Sequence, residues 1–263
     1  MKTFKRTLSI VLAVIMIFGC MSVVGFAADG EITVKLRVEG IGKCFYYGNV
    51  TVKEGASAYD VIQTADKADD NLTVSAYGEG KSAYIYAVNG ETAGTHTTLG
   101  WDGWMFMVDG VAPNVSVGEF TVEDGASVVL YYTDQWNTGM QYPEVDVKSL
   151  GSGKIVLTSL DTVYDPVTYE PTVQETPVAN CTLLWTANGK KVKITSDENG
   201  VCKIPNRYLT IGDHNVQVER YDANNGLPTV LRLEPDFKVN VDFFDGISAI
   251  LRMVMDIFDA IQK

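Results

Sequence analysis

The residues that could carry nucleophilic, metal or phosphate chemistry are few in this chain and stand apart from one another. Its two histidines, His96 and His214, are far apart in sequence, and neither has a serine or cysteine beside it in a nucleophile setting. A Ser-His or Cys-His relay, which needs a base within hydrogen-bond reach of the attacking atom, therefore has no support. No His and Cys residues recur at zinc-ligand spacing. Gly80-Lys81-Ser82 looks like the end of a phosphate loop, but Ser75 occupies the place of the loop's first glycine. Asp222-Ala223-Asn224-Asn225-Gly226 starts like a calcium loop, then brings its glycine one place early and has no glutamate at the twelfth position, so it reads as a turn. Cys181 and Cys202 are expected to pair as a disulfide, which leaves Cys44 as a buried small hydrophobe or a free thiol.

Non-covalent chemistry is what remains, and aromatic rings would supply it. Trp101, Trp104, Trp136, Tyr77, Tyr132 and Tyr142 lie in or beside two loops, Gly90–Gly103 and Asp134–Tyr142. Flat rings with polar tips make good binding faces. Trp104, and one of the pair Tyr131-Tyr132, are better read as core residues. Trp101, Trp136 and Tyr142, flanked by Gly, Asp, Asn and Gln, suit exposure.

These residues must be positioned by an exported, mainly β chain. The first 27 residues have a basic start (Lys2, Lys5, Arg6), an apolar run and small residues Gly25 and Ala27 before the expected cut, which together make a secretory signal peptide. Bulky Phe18 before Cys20 argues against a lipid-anchored cysteine there. No other apolar run reaches the ~20 residues of a membrane span. Losing the leader's three cations takes the formal charge from −12 to about −15, a surface that repels nucleic acid and anionic lipid.

Ile32, Val34, Leu36 and Val38 alternate with Thr33, Lys35, Arg37 and Glu39, which predicts a strand with one wet face. Phe45 to Val52 reads as the return strand. Ser57 then stands at an N-cap position with Asp60 three residues on, predicting a helix from Ala58 to about Ala68. Tyr84 to Val88 and Val128 to Thr133 are further strands. In Gly103-Trp104-Met105-Phe106-Met107-Val108-Asp109-Gly110-Val111-Ala112-Pro113-Asn114, the apolar alternation breaks at Asp109-Gly110, a type I′ signal, and resumes at Val111, which predicts a tight aromatic hairpin.

Residues 136–153 read as a linker, and 154–241 as a β-sandwich of short strands separated by Asn188-Gly189, Asp197-Glu198-Asn199-Gly200 and Gly212-Asp213. Tyr164 to Pro177, with three prolines, is expected to be a long loop. From residue 242 to 263 the apolar period becomes helical: Phe243, Ile247, Ile250, Leu251, Val254, Ile257, Phe258 and Ile261 lie on one side, and Asp245, Arg252, Asp256, Asp259 and Gln262 on the other.

The Trp104 segment, followed by the Val128-Val129-Leu130-Tyr131-Tyr132 strand, resembles the transcobalamin-like carboxy-terminal domain (DUF4430), a β-grasp module, over residues 30–135. Thr195 to Val201 with Ile211 to Val216 is similar to carboxypeptidase-regulatory-like and Ig-like β-sandwich repeats of bacterial surface proteins. The expected architecture is a mainly β chain: an α+β β-grasp domain with one helix, a β-sandwich domain and a C-terminal amphipathic helix. The first resemblance implies a secreted or wall-associated protein of a Gram-positive bacterium. It also implies that the Trp104 hairpin and the Tyr131-Tyr132 strand occupy the position that faces the corrin in vitamin B12 carriers. The expected role is non-catalytic binding of a corrinoid or other small ligand, with no resident cofactor and no metal. The alternative is an adhesion or scaffold protein whose β modules are spacers and whose last helix docks a cell-surface partner or a second copy.

Overall fold

A computed structural model of the chain describes residues 30–134, 140–168 and 170–261. The expected signal peptide and Trp136 lie outside the described residues.

The first module contains β1 (Glu31–Glu39), β2 (Cys44–Lys53), α1 (Ala58–Ala68), β3 (Val74–Tyr77), β4 (Tyr84–Val88), β5 (Glu91–Thr92), β6 (Asp102–Val108) and β7 (Ser127–Asp134). Its main sheet runs β2-β1-β7-β6, with β1 and β7 parallel and the other neighbours antiparallel. Strands β3, β4 and β5 make a small second sheet beside it. The period-two pattern sends Ile32, Val34, Leu36 and Val38 of β1 to the same side as Trp104, Phe106 and Val108 of β6. There they meet Ala58, Val61, Ile62 and Ala65 of α1. The helix starts where the sequence predicts, because the Ser57 hydroxyl accepts from the Asp60 N–H while the Asp60 carboxylate accepts from the Ser57 N–H.

One expectation is corrected here. Asp109 and Gly110 both take positive φ, as a type I′ turn requires, yet among the described residues the pairing across it is limited to the bridge between Val108 and Val111. Val111 is exposed, and Pro113 has no N–H to extend a ladder. The partner of β6 is instead β7, with Val108 opposite Val128.

The second module contains β8 (Glu144–Asp146), β9 (Lys154–Tyr164), β10 (Pro171–Pro177), β11 (Thr182–Ala187), β12 (Lys190–Thr195), β13 (Val201–Lys203), β14 (Gly212–Glu219) and β15 (Lys238–Val241). One sheet runs β10-β9-β13 with β8 also on β9, and the other runs β12-β11-β14-β15. Ile155 and Leu157 from the first share a core with Leu183, Trp185, Val216 and Val218 from the second. The stretch expected as a proline-rich loop is in part strand β10. Its prolines at positions 171 and 177 stand at the ends of an edge strand, where a missing N–H costs no interior ladder bond.

The expected disulfide is not formed: Cys44, Cys181 and Cys202 are free thiols. Cys181 leads into β11 and faces the Glu219 carbonyl at 3.6 Å, while Cys202 sits on β13 in the opposite sheet. Both are fully buried in the sandwich core and pack there as small apolar groups.

The side of β1 expected to be wet is closed as well. A strap of irregular backbone between β14 and β15 crosses it. Leu227 of this strap enters the first core, Leu231 covers Met107, Val129 and Tyr131, and Val230 and Leu233 turn into the second core. Arg37 and Glu39 are each 3% exposed beneath it. The Arg232 guanidinium donates to the Glu39 carboxylate and to the Gly40 carbonyl, and Arg37 donates to the Arg232 carbonyl at 2.7 Å. At the edge, Lys35 pairs with Glu234 at 2.8 Å, and the Tyr47 hydroxyl reaches both Glu234 and Asp236. Last comes α2 (Phe243–Ile261), held against the second module.

Candidate ligand-binding cleft

The strap covers only part of the open face of the main sheet, and the rest forms the wall of a cleft of about 1350 Å³ between the modules. Strand alternation builds that wall: Met105 and Met107 of β6 and Tyr131 and Thr133 of β7 point away from α1. The Asp109–Ala112 turn closes one end, and Leu160 and Val173 of the β9–β10 hairpin form the opposite wall. Met140 and Tyr142 lead from the first module into the second along the cleft. Unbranched thioether side chains adapt to a bound shape, and aromatic rings add rigid contact area. The Tyr142 ring lies 6.0 Å from the Arg37 guanidinium carbon.

A polar scaffold holds the base of this cleft. Arg220 donates to Thr229 Oγ1, to the Ala179 carbonyl and to Gln141 Oε1, each at 2.8 Å. Gln141 in turn donates to Asp161 at 2.8 Å, and Ser159 donates to the other Asp161 oxygen at 2.7 Å. Burial by itself would raise the Asp161 carboxyl, but donation from Thr176, Gln141 and Ser159 outweighs it and holds the group below its ordinary range. Burial pushes the Tyr131 hydroxyl up to about 12, so it stays protonated at neutral pH. Among the described residues lining the cleft, Asp109, Asp134, Glu144, Asp161 and Asp222 stand with one cation, Arg220, whose Nε, Nη1 and Nη2 all donate within the scaffold, so an anionic occupant is disfavoured.

At one end of β6 and β7 a second construction carries the Trp101 loop. The Asp102 carboxylate is buried and accepts from the N–H groups of Thr95, His96 and Thr97, from the Thr97 hydroxyl at 2.6 Å and from the Tyr132 hydroxyl. Burial works to raise this carboxyl, but those donors overcome it and hold it far below the usual carboxylate range. His96 Nδ1 lies 3.6 Å from Asp102 and 3.2 Å from the Tyr132 hydroxyl. The hydrogen bonds that Asp102 accepts from Thr95, His96 and Thr97 anchor this loop. The loop holds Leu99 and Trp101 at the surface, Trp101 being 49% exposed.

The aromatic residues singled out in the sequence are thus divided among several places. Trp104 and Tyr132 point into the α1-side core, edge to face with ring centroids 5.3 Å apart, and the Trp104 ring N–H donates to the Glu91 carbonyl at 3.0 Å. Tyr77 is exposed and stacked on Tyr86 at 4.2 Å. Trp101 stands on its loop, and Tyr142 lines the cleft. The cleft also recruits Met105, Met107, Met140 and Arg220, which sequence reasoning did not select, and Tyr131, which it placed only through the resemblance. One signal was available: Met105, Met107, Val129 and Tyr131 alternate with core residues, so the second face of β6 and β7 is too apolar to stay uncovered.

Groups suited to catalysis are not concentrated here. Among the described residues, no group of three or more His, Cys, Asp or Glu is placed to hold a metal ion. His214 is buried and stacked on Trp185 at 4.5 Å, with its ring nitrogens facing the carbonyls of Thr186 and Thr210. Burial pushes the Cys44 and Cys202 thiols up to about 12 and Cys181 up to about 11, opposite to what a nucleophilic thiolate needs.

Two solved structures similar to this chain can be set beside it. Haptocorrin in complex with Cbi shares 22% identity over 44% of this chain and 28% of its own, with a TM-score of 0.36. A protein of Ruminococcus gnavus ATCC 29149, for which metal binding was proposed, shares 15% identity over 40% of this chain and 99% of its own, with a TM-score of 0.31. This chain therefore spans less than a third of the length of the haptocorrin it matches. No curated protein matches it. Residues 55–134, from the turn before α1 to the end of β7, match the family described as Domain of unknown function (DUF4430).

Proposed function

We propose that the protein is an exported, non-catalytic binding protein that seats a large, partly apolar, uncharged or cationic ligand in the cleft between its modules. The observation that carries this reading is the wall of Met105, Met107, Met140, Tyr131 and Tyr142 above a polar base fixed by Arg220, Gln141 and Asp161. An adaptable apolar wall with a few fixed polar groups is how small-molecule sites are commonly built. Export rests on the leader-like first 27 residues, and assignment to a Gram-positive cell surface rests on the resemblance of the two modules to bacterial surface proteins.

A corrinoid is the ligand that the family resemblance names, and cobalamin and cobinamide are the first probes. Isothermal titration of the protein with each, repeated on Tyr142→Ala and Trp101→Ala, tests both the ligand and the site. Saturable binding weakened at least tenfold by Tyr142→Ala and unaffected by Trp101→Ala supports a corrinoid in the cleft. The reverse ranking moves the site to the Trp101 loop. A flat titration by folded protein removes the corrinoid and leaves the cleft to be screened with other apolar and cationic small molecules.

A further inference from the structure

Helix α2 is mounted with its apolar side outward. The side that meets the second module is small and polar: Ala249 is buried in the sandwich core, and Gly246 packs so closely on Ile211 that a Cβ would lie 2.5 Å from its side chain. Asp245 lies against Gly151, and Arg252 donates to Asn206 Oδ1 at 2.9 Å and to the Gly151 carbonyl. Phe243, Phe244, Ile247, Ile250, Leu251, Val254, Met255, Ile257 and Phe258 are left between 37% and 77% exposed. At 100° per residue they fill one continuous sector of the helix that contains no charged side chain.

The size of this surface exceeds what a lone soluble domain exposes. Nine large apolar side chains of ~150–250 Å² each, at those exposures, present on the order of 1,000 Å², against ~300–600 Å² for the largest patch of an ordinary monomer. That area is comparable to the ~800 Å² each partner contributes to a stable protein interface. The order of the residues points to the occupant. Phe243, Ile247, Ile250, Val254 and Ile257 step by four, three, four and three, the seam of a coiled coil, and Phe244, Leu251 and Phe258 flank it at every seventh position. Such a seam, uncharged and rich in β-branched residues, is complementary to itself. Asp245 and Asp256 against the single Arg252 give the described helix no positive face with which to lie on an anionic bilayer.

We infer that α2 packs through this face against α2 of a second copy of the chain, forming a homo-oligomer whose protomers are joined at the helix and not at the ligand cleft. Sedimentation of the full chain at micromolar concentration, alone and with phosphatidylcholine vesicles, tests it beside Ile250→Asp combined with Val254→Asp and, separately, Phe244→Asp. The expected result is a mass at least twice the monomer's, reduced to the monomer's by the double variant and shifted the same way by Phe244→Asp, with the far-ultraviolet circular dichroism of the sandwich retained. Three results would overturn it: a monomeric parent chain, a double variant that still associates, and a monomer that floats with the vesicles, which would assign the face to lipid.

Discussion

The two faces of the first module's main sheet are closed in opposite ways. The α1 face is closed by an apolar element that follows directly in sequence, and Leu36, Val34 and Ile62 there are wholly buried. The other face is closed by a strap nearly 200 residues away, through Arg232, Glu39 and Arg37 as much as through Leu231. Burial of apolar area is non-directional and tolerates adjustment. A buried carboxylate is costly unless its partner is in place. The first face therefore supplies stability, whereas the second fixes where the other module sits and so shapes the cleft.

Substitutions on each face separate these roles. Leu36→Ala, which opens a cavity on the α1 face, is expected to cost about 3–4 kcal/mol in denaturant unfolding of the whole chain. Arg232→Ala, which leaves buried Glu39 with only the more distant Arg37 guanidinium at 3.9 Å, is expected to cost about 2–3 kcal/mol. It should also alter ligand binding, because it loosens the modules. If Leu36→Ala disturbed the cleft and Arg232→Ala did not, the assignment of roles would be reversed.

Acid sharpens the comparison at the loop end of the sheet. Because the folded protein holds Asp102 below the ordinary carboxylate range, its contribution to stability is full above the unfolded-chain value near pH ~3.9 and is lost as pH falls below it. Asp102→Asn is expected to cost about 1–2 kcal/mol near neutral pH and to flatten that acid limb, measured by thermal unfolding from neutral to acid pH. The smallest effect is expected at the rim. Lys35→Ala removes a half-exposed pair with Glu234 and should change stability by less than ~1 kcal/mol, with most of that change abolished by added salt.

What could be read from the sequence follows the same division. The period-two run of β1, the Ser57-Asp60 capping box and the helical period of α2 are local patterns, and each formed the expected element. The return strand after Asp109-Gly110 did not form, since the turn signal is local but the partner of β6 is set by register with β7. Arg37 and Glu39 read as solvent-facing because alternation reports only which side a residue takes, not what distant chain covers that side. Cleft residues Met105, Met107 and Tyr131 were visible as an apolar second face, but Arg220 and Leu160 join them only through tertiary packing. Among the aromatic residues, ring type alone does not separate Trp104, held by the Glu91 carbonyl in the core, from Trp101 three residues earlier on an exposed loop, and it is the flanking Gly100 and Asp102 that mark Trp101 for exposure in the sequence.

The strap between β14 and β15 has a further consequence for how the chain acquires its structure. Leu227 belongs to the core of a module whose last strand ended at Asp134. During synthesis the first module therefore emerges long before the residues that finish it, and until they arrive it presents an open edge of its core and two buried-type charges to solvent. Contacts of such long sequence separation slow folding and tie the modules into a shared transition. A fragment ending at residue 134 should accordingly be less stable than the same residues within the whole chain, and the intact protein should lose both modules together as denaturant rises.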